Sequence, residues 1–253
     1  MQNYKMLLEY DGARYQGFQN KGNRSKAGQA SVALKLQEAL LRVTGERPEI
    51  HGAVRTSPGV HAKEQTVSFR LSGPVCSGQE AIQLRQRLNR TLPQDIAVRH
   101  IYPAPERFDA ALALKSAAFL CRLDVGEIPS VFWKERTVHI PEPLDLEAME
   151  EAAKLLVGSH DFAGFSAGRT KKSTVRCLTG LALHEEHALH QLVFTLTADG
   201  FLRHMPQLLI GTLVDIGRGK LEPQQVEQIL QETCPCGEFL PSRAFCLTET
   251  NYL

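Results

Sequence analysis

Short apolar runs and amphipathic stretches alternate along this chain. Residues 5–10 (KMLLEY) are apolar and closed by Asp11-Gly12, the pattern of a strand entering a turn. Residues 19–28 are polar and contain glycine, so they read as an exposed loop. Val32, Leu36, Leu40 and Val43 then recur at helical spacing, and Gly45 supplies a C-terminal stop. Strand-like segments follow around 49–54 and 66–71, the second with Val67, Phe69 and Leu71 alternating with polar neighbours. A helix over 78–89 carries Ile82, Leu84 and Leu88, and a strand at 96–102 runs into the proline-rich 103–105. The first half thus reads β-α-β-β-α-β, with helices on one sheet face, which favours α+β over a doubly wound parallel sheet.

The second half opens with a strand near 117–125. Asp145 can cap a helix whose Leu146, Met149, Ala153, Leu156 and Val157 line one face before Gly158. Strands are expected at 175–184 and 189–198. A helix then carries Phe201, Met205, Leu209, Leu213 and Ile216. Pro223 starts a short helix with Val226, Ile229 and Leu230 inward, and a last strand covers 245–252. The two halves, residues 1–109 and 110–253, share an element order without a visible sequence repeat.

Composition changes this picture little. The 253 residues are 43% hydrophobic and 23% charged, as in a globular protein, and no run approaches the roughly 20 apolar residues of a membrane span. A cytoplasmic location is the default expectation. Net charge is +1, so nucleic-acid binding would need a local basic surface. Lys21, Arg24 and Lys26 form one such cluster, and Arg169, Lys171, Lys172 and Arg176 another; both also read as solvated loops. The six cysteines include one close pair, Cys234-Pro235-Cys236, with no second pair to complete a tetrahedral site. His184, His187 and His190 straddle an expected turn between strands, a poor arrangement for shared metal coordination. No metal site is expected.

The densest chemistry lies in Gly52-Ala53-Val54-Arg55-Thr56-Ser57-Pro58-Gly59-Val60-His61-Ala62, a loop between strands that could aim an Arg and a His into a cleft. It resembles the G-A-G-R-T-D-x-G-V-H-A signature of the tRNA pseudouridine synthase A (TruA) family. The resemblance covers nearly the whole chain: Leu7–Gly12 (LLEYDG) with Arg14-Tyr15-Gln16-Gly17-Phe18-Gln19, Phe108-Asp109-Ala110, His160-Asp161-Phe162-Ala163-Gly164-Phe165, Ser173-Thr174-Val175-Arg176, and Gly200-Phe201-Leu202-Arg203-His204-Met205 all have ordered counterparts. It implies two ferredoxin-like halves sharing an extended, mainly antiparallel sheet, and a homodimer acting on the anticodon stem-loop of tRNA. The implied chemistry detaches uracil from ribose C1′ and reattaches it through C5 without a cofactor. That chemistry needs a base taken out of the stack, an aromatic residue against it, a carboxylate at the sugar and a cation to hold the carboxylate.

Against that pattern the chain departs at decisive positions. Ser57 stands where the family has its catalytic Asp, and a neutral hydroxyl supplies neither the charge nor the reactivity. Pro58 restrains Ser57 to extended backbone, and Val54 replaces a glycine. Phe119 aligns with a family Tyr; it can stack on a base but has no phenol. Two family arginines align with Ala111 and Gln207, the latter beside Pro206, which is tolerable only in a helix's first turn. Asp109, in place of a family His, is one candidate for a relocated acid; Asp199 reads as a strand-end turn residue. Arg55, Thr56 and His61 keep the family's identities, either to hold the loop or to contact phosphate and sugar. Arg24, Lys26, Arg169, Lys171, Lys172 and Arg176 are the candidate RNA-backbone contacts. Three readings stay open: a tRNA-binding or other structured-RNA-binding pseudoenzyme, an active synthase using a relocated acid such as Asp109, and a non-catalytic subunit paired with an intact paralogue.

Overall fold

The computed structural model describes residues 1–19, 30–73, 78–168 and 172–252. Pairing is mainly antiparallel and the fold is mixed α+β, with two compact units: Met1–Lys115 with Leu247–Leu253, and Ser116–Cys246. No helix among the described residues is long and apolar enough to cross a membrane.

In the first unit, β1 (Gln2–Tyr10) sends Tyr4, Met6, Leu8 and Tyr10 inward, as the period of two requires. Helix α1 (Val32–Thr44) begins where the Ser31 side chain accepts a hydrogen bond from the Leu34 amide, and ends at Gly45 in the left-handed region at φ 79°. Next come β2 (His51–Gly52), β3 (His61–Leu71), α2 (Gln79–Thr91) and β4 (Ile96–Ala104). Within this unit the strand order is β4-β1-β3-β10, where β10 (Phe245–Asn251) returns from the end of the chain, and β2 also pairs with β3. Met6 lies opposite both Val67 and Ile101 in the middle of the sheet. The register between β1 and β3 shifts at their ends, from Leu8 opposite Gln65 to Tyr10 opposite Ala62.

The second unit begins with β5 (Ser116–Asp124), pairs it in parallel with the short β6 (Val138–His139), and continues through α3 (Leu146–Leu156), β7 (Gly158–Asp161), β8 (Val175–Glu186) and β9 (Gln191–Ala198). Strand order is β5-β9-β8-β7. Asp145 caps α3 by accepting from the Ala148 amide at 3.0 Å. Helix α4 (Met205–Gly217) is buried on every side, consistent with its apolar sequence, and α5 (Gln225–Leu230) follows.

The expected element order holds, and the differences have local causes. The two strand segments around 49–54 and 66–71 are unequal: β2 has two residues, while β3 starts five residues earlier, at His61. Ile82 is exposed because α2 turns Ala81, Leu84 and Leu88 inward. Phe201 precedes α4 rather than lying in it. The compact units also divide differently from residues 1–109 and 110–253. The Ala110 amide donates to Ser68 Oγ, the Tyr252 phenol donates to the Ala110 carbonyl, and the Lys115 amide donates to the Asn251 carbonyl; these bonds keep 110–115 and the chain end with the first unit.

Candidate active-site loop

The loop leaves β2 and reaches β3 through a set of backbone ties. The Ala53 amide donates to the Thr66 carbonyl, and the buried Gln65 side chain grips Val54 from both sides, accepting from its amide at 3.2 Å and donating to its carbonyl at 2.6 Å. Thr56 is buried, with its Oγ1 2.8 Å from the Tyr10 phenol oxygen, and its carbonyl accepts from the Phe18 amide. The Ser57 carbonyl accepts from the Val60 amide, closing a tight turn over Pro58-Gly59, and the Gly59 amide donates to the Tyr15 carbonyl.

The segment after β1 is what holds this loop in place. At Gly17, φ is 76° and a side-chain carbon would lie 2.3 Å from the Thr56 carbonyl oxygen, so only glycine fits. Behind it, Asp95 accepts from the Tyr15 phenol at 2.6 Å and from Arg14. Burial opposes ionisation of Asp95, but the bonds from Tyr15 and Arg14 outweigh it and hold the carboxyl below its usual range. Burial first, then the bond to Asp95, pushes the Tyr15 phenol up. His61 Nδ1 lies 3.2 Å from the Gly12 amide and 3.0 Å from Asp11 Oδ1, so one tautomer accepts from Gly12 and the other donates to Asp11.

Thr56 and His61 are therefore buried and hold the loop. Arg55 differs: it is exposed and, among the described residues, has no hydrogen-bond or ion-pair partner, leaving its five donors available to a ligand. Ser57 is half-buried. Residues 53–60 contain no acid.

Asp109 is placed elsewhere in the same unit. One carboxylate oxygen accepts from the Ala111 and Leu112 amides, capping the turn that follows, and the other lies 3.2 Å from His51 Nδ1. His51 pairs with Ser68, whereas the loop's anchor Tyr10 pairs with Ala62. Six strand residues at a rise of about 3.3 Å separate those levels by roughly 20 Å.

In the second unit, Phe119 on β5 is buried and meets Phe201 edge to face at 5.0 Å. Gln207 is buried in the first turn of α4, next to Pro206, the position at which a helix accommodates proline. Its side-chain amide has no hydrogen-bond partner among the described residues. The turn before that helix holds His204 at φ 63°, a costly conformation for a side chain other than glycine. Burial, then the Arg203 charge, lowers the His204 pKa. Arg176 folds back onto the Ser173 and Val175 carbonyls, and Asp199 exchanges hydrogen bonds with Cys177 as a strand-end turn residue. Lys172 is exposed. Lys21, Arg24, Lys26, Arg169 and Lys171 lie outside the described residues.

Tyr10 and Asp11, which buttress Thr56 and His61, were not singled out as site residues; the signals for them were their place in the Leu7–Gly12 (LLEYDG) segment of the resemblance and at the end of β1.

A tRNA pseudouridine synthase family model matches residues 152–252. The chain is 32% identical over 255 residues to tRNA pseudouridine synthase A of Acetivibrio thermocellus, covering 100% of both chains. It is 33% identical over 232 residues to the protein of that name from Bacillus sp. (strain KSM-64), covering 91% of each. A tRNA pseudouridine synthase A 2 of Clostridium perfringens is 32% identical over 257 residues, again end to end. Identity of this extent along the full length places the chain plainly: it belongs to the tRNA pseudouridine synthase A family.

Proposed function

We propose that this chain binds tRNA through the scaffold of its family and carries out uridine isomerisation weakly or not at all. Ser57 carries this reading. The loop around it is built and anchored, yet the position that needs a carboxylate holds a hydroxyl, and residues 53–60 offer no acid in its place. Against Asp109 as the relocated acid stand its bonds from the amides of residues 111 and 112 and its approach to His51, which pairs at the Ser68 level of β3. Phe119 is buried against Phe201 and would have to leave that contact to stack on a base, whereas exposed Arg55 can meet a phosphate or sugar directly. The family's habit of pairing two copies extends the proposal to a homodimer, which light scattering of the purified chain tests.

The second reading is an active tRNA pseudouridine synthase, and the names of relatives matched end to end favour it over the first. In that case the acid comes from another residue. Asp11, 3.0 Å from His61 in the loop's own anchor, is the carboxylate to test.

Incubating the purified protein with unmodified tRNA transcripts and mapping pseudouridine separates the two. Binding without conversion at stoichiometric protein supports the first reading. Conversion by the unaltered chain overturns it, and loss of that conversion in Asp11→Asn with tRNA affinity and melting temperature unchanged would point to Asp11 as the acid.

A further inference from the structure

Helix α2 and strand β4 enclose a surface groove of about 490 Å³ lined by Arg85, Gln86, Asn89, Arg90, Val98 and Arg99. Helix α2 carries three arginines and one acid, Glu80, and its arginines have different tasks. Arg87 reaches away to the Val43 carbonyl at the end of α1. Arg85 donates to the Arg99 carbonyl at 3.0 Å, which fixes its guanidinium over the groove while leaving its charge unneutralised. Arg90 is exposed and has no partner among the described residues. Arg99 is tethered to Glu9, the one acid that touches this set.

Two ordinary explanations fall short. A cation in the last turn of a helix complements the helix dipole, which accounts for Arg90 but not for Arg85 one turn earlier or Arg99 on another element. An exposed edge could instead recruit a peptide strand, since β4 lies at the end of the order in its unit. Along the groove that edge is occupied: the Asn89 amide satisfies both the Val98 amide, at 2.7 Å, and the Val98 carbonyl, at 2.9 Å, while Arg85 takes the Arg99 carbonyl. What remains is a polar groove with fixed guanidiniums and excess positive charge, suited to phosphate oxygens and not to a β-strand.

We infer that the α2–β4 groove is a phosphate-backbone track for RNA, separate from the Ser57 loop, with Arg85 and Arg90 as its principal contacts. This rests on the RNA reading above and adds the surface that a chain of net charge +1 needs.

The test is the affinity of the full chain for an unmodified tRNA transcript across a salt series, for wild type, Arg85→Gln/Arg90→Gln and a charge-matched control, Arg47→Gln/Arg107→Gln. The groove variant should bind more weakly, with a slope of log affinity against log salt shallower by about 1.4 to 1.8, since each phosphate contact contributes roughly 0.7–0.9. The control should keep the wild-type slope. Equal slopes for wild type and groove variant overturn the groove, as does an equal loss in the control, which would reveal only bulk charge. Failure of the wild type to bind at low salt overturns the RNA reading itself. Should the double variant melt early, Arg90→Gln alone decides, with an expected slope change of about 0.7–0.9.

Discussion

The Tyr10 phenol and the Thr56 hydroxyl meet at 2.8 Å in the interior, tying the end of β1 to the residue immediately before Ser57. Because both oxygens are buried, removing one partner costs more than the bond itself is worth. Tyr10→Phe and Thr56→Val should each destabilise the chain by about 1–3 kcal/mol in urea unfolding. The double variant should fall short of the sum by about 1 kcal/mol. Full additivity would mean that the pair does not couple.

Gly17 and Gly45 offer a controlled comparison of backbone strain. Both have φ near 80°, at 76° and 79°, but a side-chain carbon at Gly17 would strike the Thr56 carbonyl at 2.3 Å, whereas nothing lies within 4 Å at Gly45. Gly45→Ala should therefore cost only the left-handed penalty, about 1 kcal/mol. Gly17→Ala carries the same penalty and also pushes the loop off its anchor. Unfolding should show a clearly larger loss for Gly17→Ala, with weakened tRNA binding only in that variant.

Asp95 makes the anchor sensitive to acid. Its folded-state pKa is depressed, so its contribution is fully present above the unfolded value of about 3.9 and is lost as pH falls through the lower folded value. Tyr15 works at the other end of the scale. Its folded pKa is raised, so its contribution holds below about pH 10 and is lost only as pH rises towards the folded value. Stability measured from pH 6 to 2 should fall less steeply below pH 4 in Asp95→Asn than in wild type. Identical acid limbs would remove Asp95 from the anchor.

The elements were readable because most of them combine a clear period with a local terminator: Gly45 closes α1, and Asp145 opens α3. The short pairings β6 and β7 were not, since two to four residues carry no period of their own and exist only through their partners β5 and β8. At the site, Ser57 and its loop stood out as a motif. Its supports did not: Tyr10 looks like any inward residue of an alternating strand, and only folding brings it to Thr56, 46 residues away. Asp109 illustrates the reverse. A carboxylate beside a recognisable segment invites a chemical role, but its oxygens are occupied by Ala111, Leu112 and His51. The groove arginines were equally hidden, because 85, 90 and 99 form no run and gather only when α2 lies along β4.

On the reading proposed above, isomerisation calls for charge at two positions, not one. Ser57→Asp would return a carboxylate to a half-buried loop residue, but the family resemblance also implies a cation at the position of Gln207, which is neutral and buried here. Gln207→Arg alone should lower the melting temperature, because a buried guanidinium without a carboxylate partner is costly. Ser57→Asp alone should leave conversion of uridine in tRNA transcripts near background. The combined variant should convert uridine about 100-fold or more above Ser57→Asp, the scale of a correctly placed acid–base group. Strong activity in Ser57→Asp alone would show that the site needs only its carboxylate and that the loss at 207 is incidental.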